Sequence, residues 1–383
     1  MSTPEIDVIV VGAGPVGLTA AIVLTQHGHR VRMVDDQAAG ANTSRAAVVH
    51  SRTLELLEPY GVVPALAGRG IPIPRFTIRD RDRALVSVPF AGLPTAYPYT
   101  LMISQADTEK FLLARATELG VVVDRPATVR AIAQDDDSVT ATLSTGAPVS
   151  ARYLIGADGM HSTVREQAGI GFTGGSYAES FVLADIRSTG GIPRDEVILY
   201  FSPAGLVVVA PLPGDMYRVV AVAVADDAPH DPDTGFVQRL LDDRGPRAVP
   251  AAVTEVVWGS RFRVHHRLAD SYRRGRILLA GDAAHVHSPA GGQGMNLGIE
   301  DAVTTGRVLS RVLQGETATL LDEHAAARRT TARSVMSTAG RLTDAATMPA
   351  TARPLRNIGL RIAGAAPTVR RRLAYRLSGL DRR

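Results

Sequence analysis

Residues 6–17, IDVIVVGAGPVG, constrain the fold more than any other stretch. Ile6–Val11 is apolar without alternation, as in a strand buried on both faces. Gly12, Ala13, Gly14, Pro15, Val16 and Gly17 follow at once. Residues 18–26 then read as a helix stopped by Gly28. A second strand at 31–34 ends in Asp35 and Asp36, with Asp35 lying 23 residues after Gly12. Strand, glycine turn, helix, strand and acid together make a dinucleotide fingerprint. Gly12 permits the turn, Gly14 admits a pyrophosphate to the backbone, and Gly17 lets helix and strand touch. The helix N-terminus offers free N–H groups to phosphate. Asp35 accepts from an adenosine ribose, and with Asp36 it repels a 2′-phosphate, so the site suits FAD or NAD rather than NADP. GIGFTG at 169–174 matches the same letters but has no strand before it, and it reads as a loop.

Two distant segments repeat the strand–Gly–Asp theme. Residues 151–165, ARYLIGADGMHSTVR, end a strand at Gly156 and Asp158 and enter a helix capped by Ser162. Asp158 is placed to bind another part of the same cofactor, and Arg165 to meet a phosphate. Residues 277–302, ILLAGDAAHVHSPAGGQGMNLGIEDA, run from a strand through Gly281 and Asp282 to Pro289, Gly292 and Gly294, then start a helix at Met295-Asn296. One fingerprint alone allows an NAD dehydrogenase. The distant Gly-Asp segment argues for the longer FAD, with Asp282 accepting from ribityl hydroxyls. The glycines let backbone lie against the flavin ring. The helix N-terminus would face the ring edge that turns negative on reduction, worth roughly 0.3–1 kcal/mol.

Composition narrows the chemistry. The chain has no cysteine, which excludes disulfides, thiol nucleophiles and iron–sulfur clusters, so redox work falls to a bound cofactor. His50, His265, His266, His285 and His287 lack the carboxylates of a metal site, and no metal is expected. No G-x-S-x-G elbow marks a serine triad. No apolar run approaches the ~20 residues of a membrane span. The acidic N-terminal lead is not a signal peptide, so a cytoplasmic location is expected. Lys110 is the sole lysine. Residues 351–383 hold nine arginines and one aspartate, +8 within a chain of net +4. With little but Tyr375 interleaved, this tail reads as a solvated helical face rather than a nucleic-acid surface.

GAGPVG, then GADG with Arg165, then GDAAH…P…GGQGMN, in this order and spacing, resemble the FAD-dependent aromatic hydroxylases. These are the single-component class A flavoprotein monooxygenases typified by para-hydroxybenzoate hydroxylase. Residues 261–302 look most like actinobacterial polyketide-tailoring hydroxylases, and the resemblance spans roughly 5–335. It implies non-covalent FAD, NADPH or NADH as a transient co-substrate, and O2. It also implies Arg45 near FAD or the nicotinamide, the one catalytic candidate. Gln105 would sit at the pyrophosphate or ribityl chain, before a helix at 107–119, and the Val129 backbone at adenine. The chemistry implied is hydroxylation of an aromatic, polycyclic polyketide-type substrate through a flavin C4a-hydroperoxide. Departures are Asp35-Asp36 where the family often has Glu-Arg and a helix reading VTTGRVLSRVL after Asp301, and no thioredoxin-like C-terminal domain is expected.

The fold expected is α/β: a Rossmann-like FAD domain (1–70, 102–171 and 262–320), an inserted β-sheet substrate domain (71–101 and 172–261) and a helical C-terminal region (321–383) with turns near Pro349, Pro354 and Pro367. Tyr97, Tyr99, Phe201 and Trp258 are the pocket candidates. A monomer or homodimer is expected. Baeyer–Villiger oxidation or antibiotic inactivation uses the same motifs, and a non-redox flavin-binding protein is a further alternative. A flavin halogenase is disfavoured, because Lys110 lies on an FAD-domain helix and Trp258 stands alone.

Overall fold

The computed structural model describes residues 5–40, 46–146, 148–223 and 229–383, with residues 178, 179 and 223 by backbone only. Its first sheet places the three motif strands side by side. Ile6–Val11 pairs in parallel with Pro148–Gly156 on one side and Val31–Val34 on the other. Ile277–Leu279 pairs in parallel with Pro148–Gly156, and Val123–Asp124 with Val31–Val34. Parallel pairing aims all their C-terminal ends at one edge, where α/β sheets bind ligands. Helices Pro15–Gln26 and Gly294–Leu313 cover one face and bury Leu18, Ile22, Ile299 and Val303. The glycine that ends the first helix, Gly28, takes a left-handed conformation as the sequence requires.

The second sheet is mostly antiparallel. Its order is His285–Val286, Ala251–Ala269, Phe172–Gly190, Met216–Ala223, Gly205–Leu212, Val197–Ser202, Arg75–Asp80 and Arg83–Pro89. Two 19-residue strands, Phe172–Gly190 and Ala251–Ala269, form its spine, with three register shifts that bend and twist it. Two readings change here. Phe172, Thr173 and Gly174 are strand, not loop: they pair with Ala269, Leu268 and Arg267, a long-range partner that local turn signals do not reveal. His285–Val286 leaves the first sheet's Gly-Asp turn and joins the second, so this loop bridges both sheets.

Helices Thr319–Thr347, Arg353–Ala365 and Pro367–Leu377 follow, and a short 3-10 turn, Leu380–Arg382, ends the described chain. Pro354 and Pro367 start helices rather than break them, because a first-turn proline loses no helical hydrogen bond. Among the described residues no helix is long and apolar enough to cross a membrane.

Candidate active site

The N-terminal turn is built for close backbone approach. Gly12 has φ +98°, and a Cβ there would lie 2.3 Å from the Ala157 carbonyl oxygen. A Cβ on Gly17 would lie 1.8 Å from the Gly12 oxygen, so helix and strand touch only through glycine. Gly14 differs: nothing lies within 4 Å of its Cβ position, and it faces the cavity beside Pro15. Asp35 accepts from the Ala13 N–H (2.6 Å) and the Gln37 N–H (3.0 Å), and Arg125 lies 3.6 Å from it. The carboxylate thus closes the turn and keeps lone pairs for a further donor. Asp36 is exposed, bonded to Gln37 (3.2 Å), and like Asp35 does not line the cavity.

The second loop uses its side chains on itself. Asp158 accepts from Ser162 Oγ (2.5 Å) and the Val164 N–H (3.0 Å), while Ser162 caps the helix by accepting from the Arg165 N–H (2.9 Å). Burial pushes the Asp158 carboxyl up, opposed by these bonds. Arg165 is 4% exposed and does not reach for a phosphate. It donates to the Ala283 and Met160 carbonyls (3.0 Å each) and packs 3.9 Å above the Phe172 ring, tying the second motif to the third.

The third loop is held by charge. Asp301 accepts from the Gly281 N–H (3.2 Å), His285 Nε2 (2.7 Å) and Arg328 Nε (2.7 Å). Burial opposes its charge, yet Arg328 and the adjacent His285 hold it at about 2. Gly281 abuts Val16 and Gly298, so the first and third motifs are in contact. The helix begins at Gly294, one residue before Met295. The Asn296 side chain is fully used: its oxygen accepts from the His50 N–H (2.8 Å) and Thr53 (2.7 Å), and its nitrogen donates to Val48 (2.9 Å) and Gly292 (2.8 Å). It is a brace, not a side-chain cofactor ligand. His50 Nε2 donates to the Gly291 carbonyl (3.0 Å), and burial lowers this histidine to about 4, so it is neutral. Nothing in the HSRTLELL stretch marks His50 for this work, since its partner lies 241 residues away.

These loops open on one cavity of about 1410 Å³. Gly14, Pro15, Val16, Gln105 and Glu109 line one end, and Asp282, Pro289, Gly292, Gly294 and Met295 its middle. Gln105 accepts from the Ala46 N–H (3.2 Å) and donates to Glu109 (2.8 Å). The far end is the second sheet's face, with Phe76, Phe181, Phe201 and Phe262. Of the aromatic candidates only Phe201 lines it. Tyr97 and Tyr99 pack edge to face (6.2 Å, 86°) against the core of the first sheet. Burial and a bond to Glu58 push Tyr97 up to about 12. Trp258 lies under Arg218 (6.0 Å), outside the lining. Arg218 reaches the cavity but is paired with Asp185 through two bonds of 2.7 and 2.8 Å. Phe181 and Phe262, opposite each other in register and stacked 6.2 Å apart, were missed, because a strand's inner face is visible only once its register is known. Val129 pairs with Leu143 in a hairpin and lies off the cavity, and Arg45 lies outside the described residues.

The geometry fits FAD: an open glycine beside a helix N-terminus, a carboxylate closing the turn behind it, and a glycine loop on the cavity packed so tightly that a Cβ on Gly292 would lie 2.2 Å from Val48. Comparison with known proteins agrees. The model of the FAD binding domain family matches residues 5–339. A 6-methylpretetramide 4-monooxygenase from Streptomyces rimosus is 40% identical over 337 residues, covering 85% of this chain. The chain spans only 60% of that relative's length. A rifampicin monooxygenase from Streptomyces venezuelae is 34% identical, covering 86% of this chain and 69% of its own. Among solved structures, an anhydrotetracycline hydroxylase from Streptomyces rimosus superposes with a TM-score of 0.81 at 33% identity, over 98% of this chain and 76% of its own. A p-nitrophenol 4-monooxygenase from Pseudomonas putida does so with a TM-score of 0.85 at 26% identity, over 99% of both chains. With most of its length matched by that family model, the chain belongs to the FAD binding domain family of flavoproteins.

Proposed function

We propose that this protein is an FAD-dependent monooxygenase that uses NAD(P)H and O2 to hydroxylate an aromatic, polycyclic polyketide-type substrate. One observation carries the proposal: a single cavity runs from the phosphate-facing turn, past the glycine loop, to an aromatic sheet face. Bound FAD would supply hydride acceptance from the nicotinamide and activation of dioxygen. The chain supplies the rest. Gly14, Pro15 and the helix behind them would hold the pyrophosphate with Gln105 at the same end, Asp35 the adenosine ribose, and Asp282 the middle of the cofactor. The N-terminus of Gly294–Leu313 favours negative charge at the loop it faces. The phenylalanine wall orients a flat ring and keeps water out. His50, neutral, holds a loop carbonyl and moves no proton. Because Arg165 is committed to carbonyls, the nicotinamide docks elsewhere on the cavity rim.

The test is mass analysis of products after incubating FAD-loaded protein with NADPH, O2 and polycyclic phenols. Gain of one oxygen with the ring retained is expected. A ring-expanded lactone, of the same mass gain but told apart by its fragmentation, would replace hydroxylation by Baeyer–Villiger oxidation. Absence of flavin bleaching by NADPH without air, with every substrate tried, would refute the monooxygenase reading.

A further inference from the structure

The arginine-rich C-terminal segment is not simply a solvated face. We infer that residues 377–383 form a latch that sets the shape of the glycine loop facing the flavin, with Arg382 as a positioning residue acting through Gln293. This presupposes FAD against that loop, as proposed above.

Gly291 and Gly292 have φ of +86° and +63°. Such a stretch has no side chains with which to fix itself, so its conformation must be imposed by neighbours. On one side His50 holds the Gly291 carbonyl and Asn296, in the helix that follows, the Gly292 carbonyl. From the other side comes Gln293, 7% exposed, whose Nε2 donates to the carbonyls of Gly291 (3.3 Å) and Leu377 (3.1 Å). An amide so placed can point either way, and its partner decides. Arg382 Nη2 donates to Gln293 Oε1 (3.3 Å), which fixes the amide with its nitrogen toward the loop.

Arg382 is itself anchored. Its Nε donates to Glu300 Oε2 (2.9 Å), while Glu300 Oε1 accepts from Arg328 (2.6 Å). Glu300 is 2% exposed, so it needs both guanidinium groups. Arg328 continues to Asp301, which receives the Gly281 N–H. One buried chain of charge therefore joins the C-terminal segment to both glycine loops. The segment is also pinned at its start, where the Ser378 carbonyl accepts from the Arg52 N–H (3.0 Å).

The experiment is a titration of apoprotein with FAD, followed by fluorescence quenching and the visible band, in wild type, Arg382→Ala, Arg382→Lys, Gln293→Ala and the exposed control Arg371→Ala. Arg382→Ala is expected to weaken FAD binding about tenfold or more and to move the visible band toward that of free FAD. Arg382→Lys should recover part of both losses. Gln293→Ala, which leaves the buried charge pair whole, should reproduce the spectral change even where Arg382→Ala folds poorly. Arg371→Ala should change neither. A lowered melting temperature in Arg382→Ala with unchanged affinity and band, or an unchanged band in Gln293→Ala, would show mere structural support and overturn the latch. A wild-type protein that takes up no FAD would instead overturn the cofactor assignment and the latch with it.

Discussion

The two ends of the cavity are made of different material. At the nucleotide end the working atoms are backbone: N–H groups at a helix start, carbonyls of glycines, and three parallel strand ends that abut with no room for a Cβ. At the other end they are side chains of a twisted sheet, with Phe181 and Phe262 stacked across two 19-residue strands. Backbone geometry tolerates almost no substitution where contact is tight, whereas an apolar wall tolerates exchange of shape and volume. The first end therefore fixes which cofactor the chain takes, and the second leaves room for substrates to differ.

The sharpest way to break this contrast is at the glycines. Gly17→Ala places a Cβ 1.8 Å from a backbone oxygen with nothing flexible to yield. A loss of over about 4 kcal/mol in urea unfolding is expected, a large part of a domain's stability. Gly14→Ala meets nothing within 4 Å. Its stability should stay within about 0.5 kcal/mol, while FAD affinity falls at least about tenfold as the pyrophosphate is pushed off. Equal damage from both would mean that Gly14 is structural.

Acid probes the same end. Burial holds His50 at about 4 against 6.5 for an ordinary histidine. Between those values the unfolded chain takes up a proton that the folded chain refuses, so stability rises with pH across the window and is lost as pH falls through it. His50 alone should account for on the order of 3 kcal/mol by pH 4. His287 and His324, both lowered to about 4 by burial, act in the same direction. Asp301, held at about 2 against 3.8, loses its contribution only below that window. Unfolding measured from pH 7 to 4 should show the loss in wild type and less of it in His50→Gln. An equal slope in both would remove His50 from the account.

The contrast also explains what was legible beforehand. Gly12, Gly14, Gly17 and Asp35 lie within 24 residues, and their spacing alone predicts the turn that is found. Ser162 was legible as a cap because capping is local. Arg165 was placed in the right loop, but its bond to Ala283 was not foreseen because that partner is 118 residues away, and the side-chain brace of Asn296 went unseen because its partner His50 is 246 residues away. The pocket aromatics were chosen by type. Which face of a strand meets the cavity depends on pairing and bulges, and the shifts between Phe172–Gly190 and Ala251–Ala269 cannot be counted from one strand's sequence.

At the substrate end, Phe262→Ala removes one ring of the stacked pair. Substrate should bind about tenfold more weakly, with KM rising more than kcat falls, while FAD affinity and band remain as in wild type. A parallel loss of FAD would show that the wall also carries the cofactor, and would erase the division between the ends.

The smallest effect should come from Tyr97→Phe. The hydroxyl bonds Glu58 and sits against the core of the first sheet, away from the cavity. Its removal costs one hydrogen bond to a carboxylate at a half-buried site, about 1 kcal/mol. Thermal unfolding should register this as a shift of a few degrees at most. KM, product distribution and the flavin band should not move. If KM for any phenolic substrate rises severalfold in this variant, Tyr97 reaches the pocket in the loaded protein, and the aromatic wall extends past the sheet into the loop before Thr100.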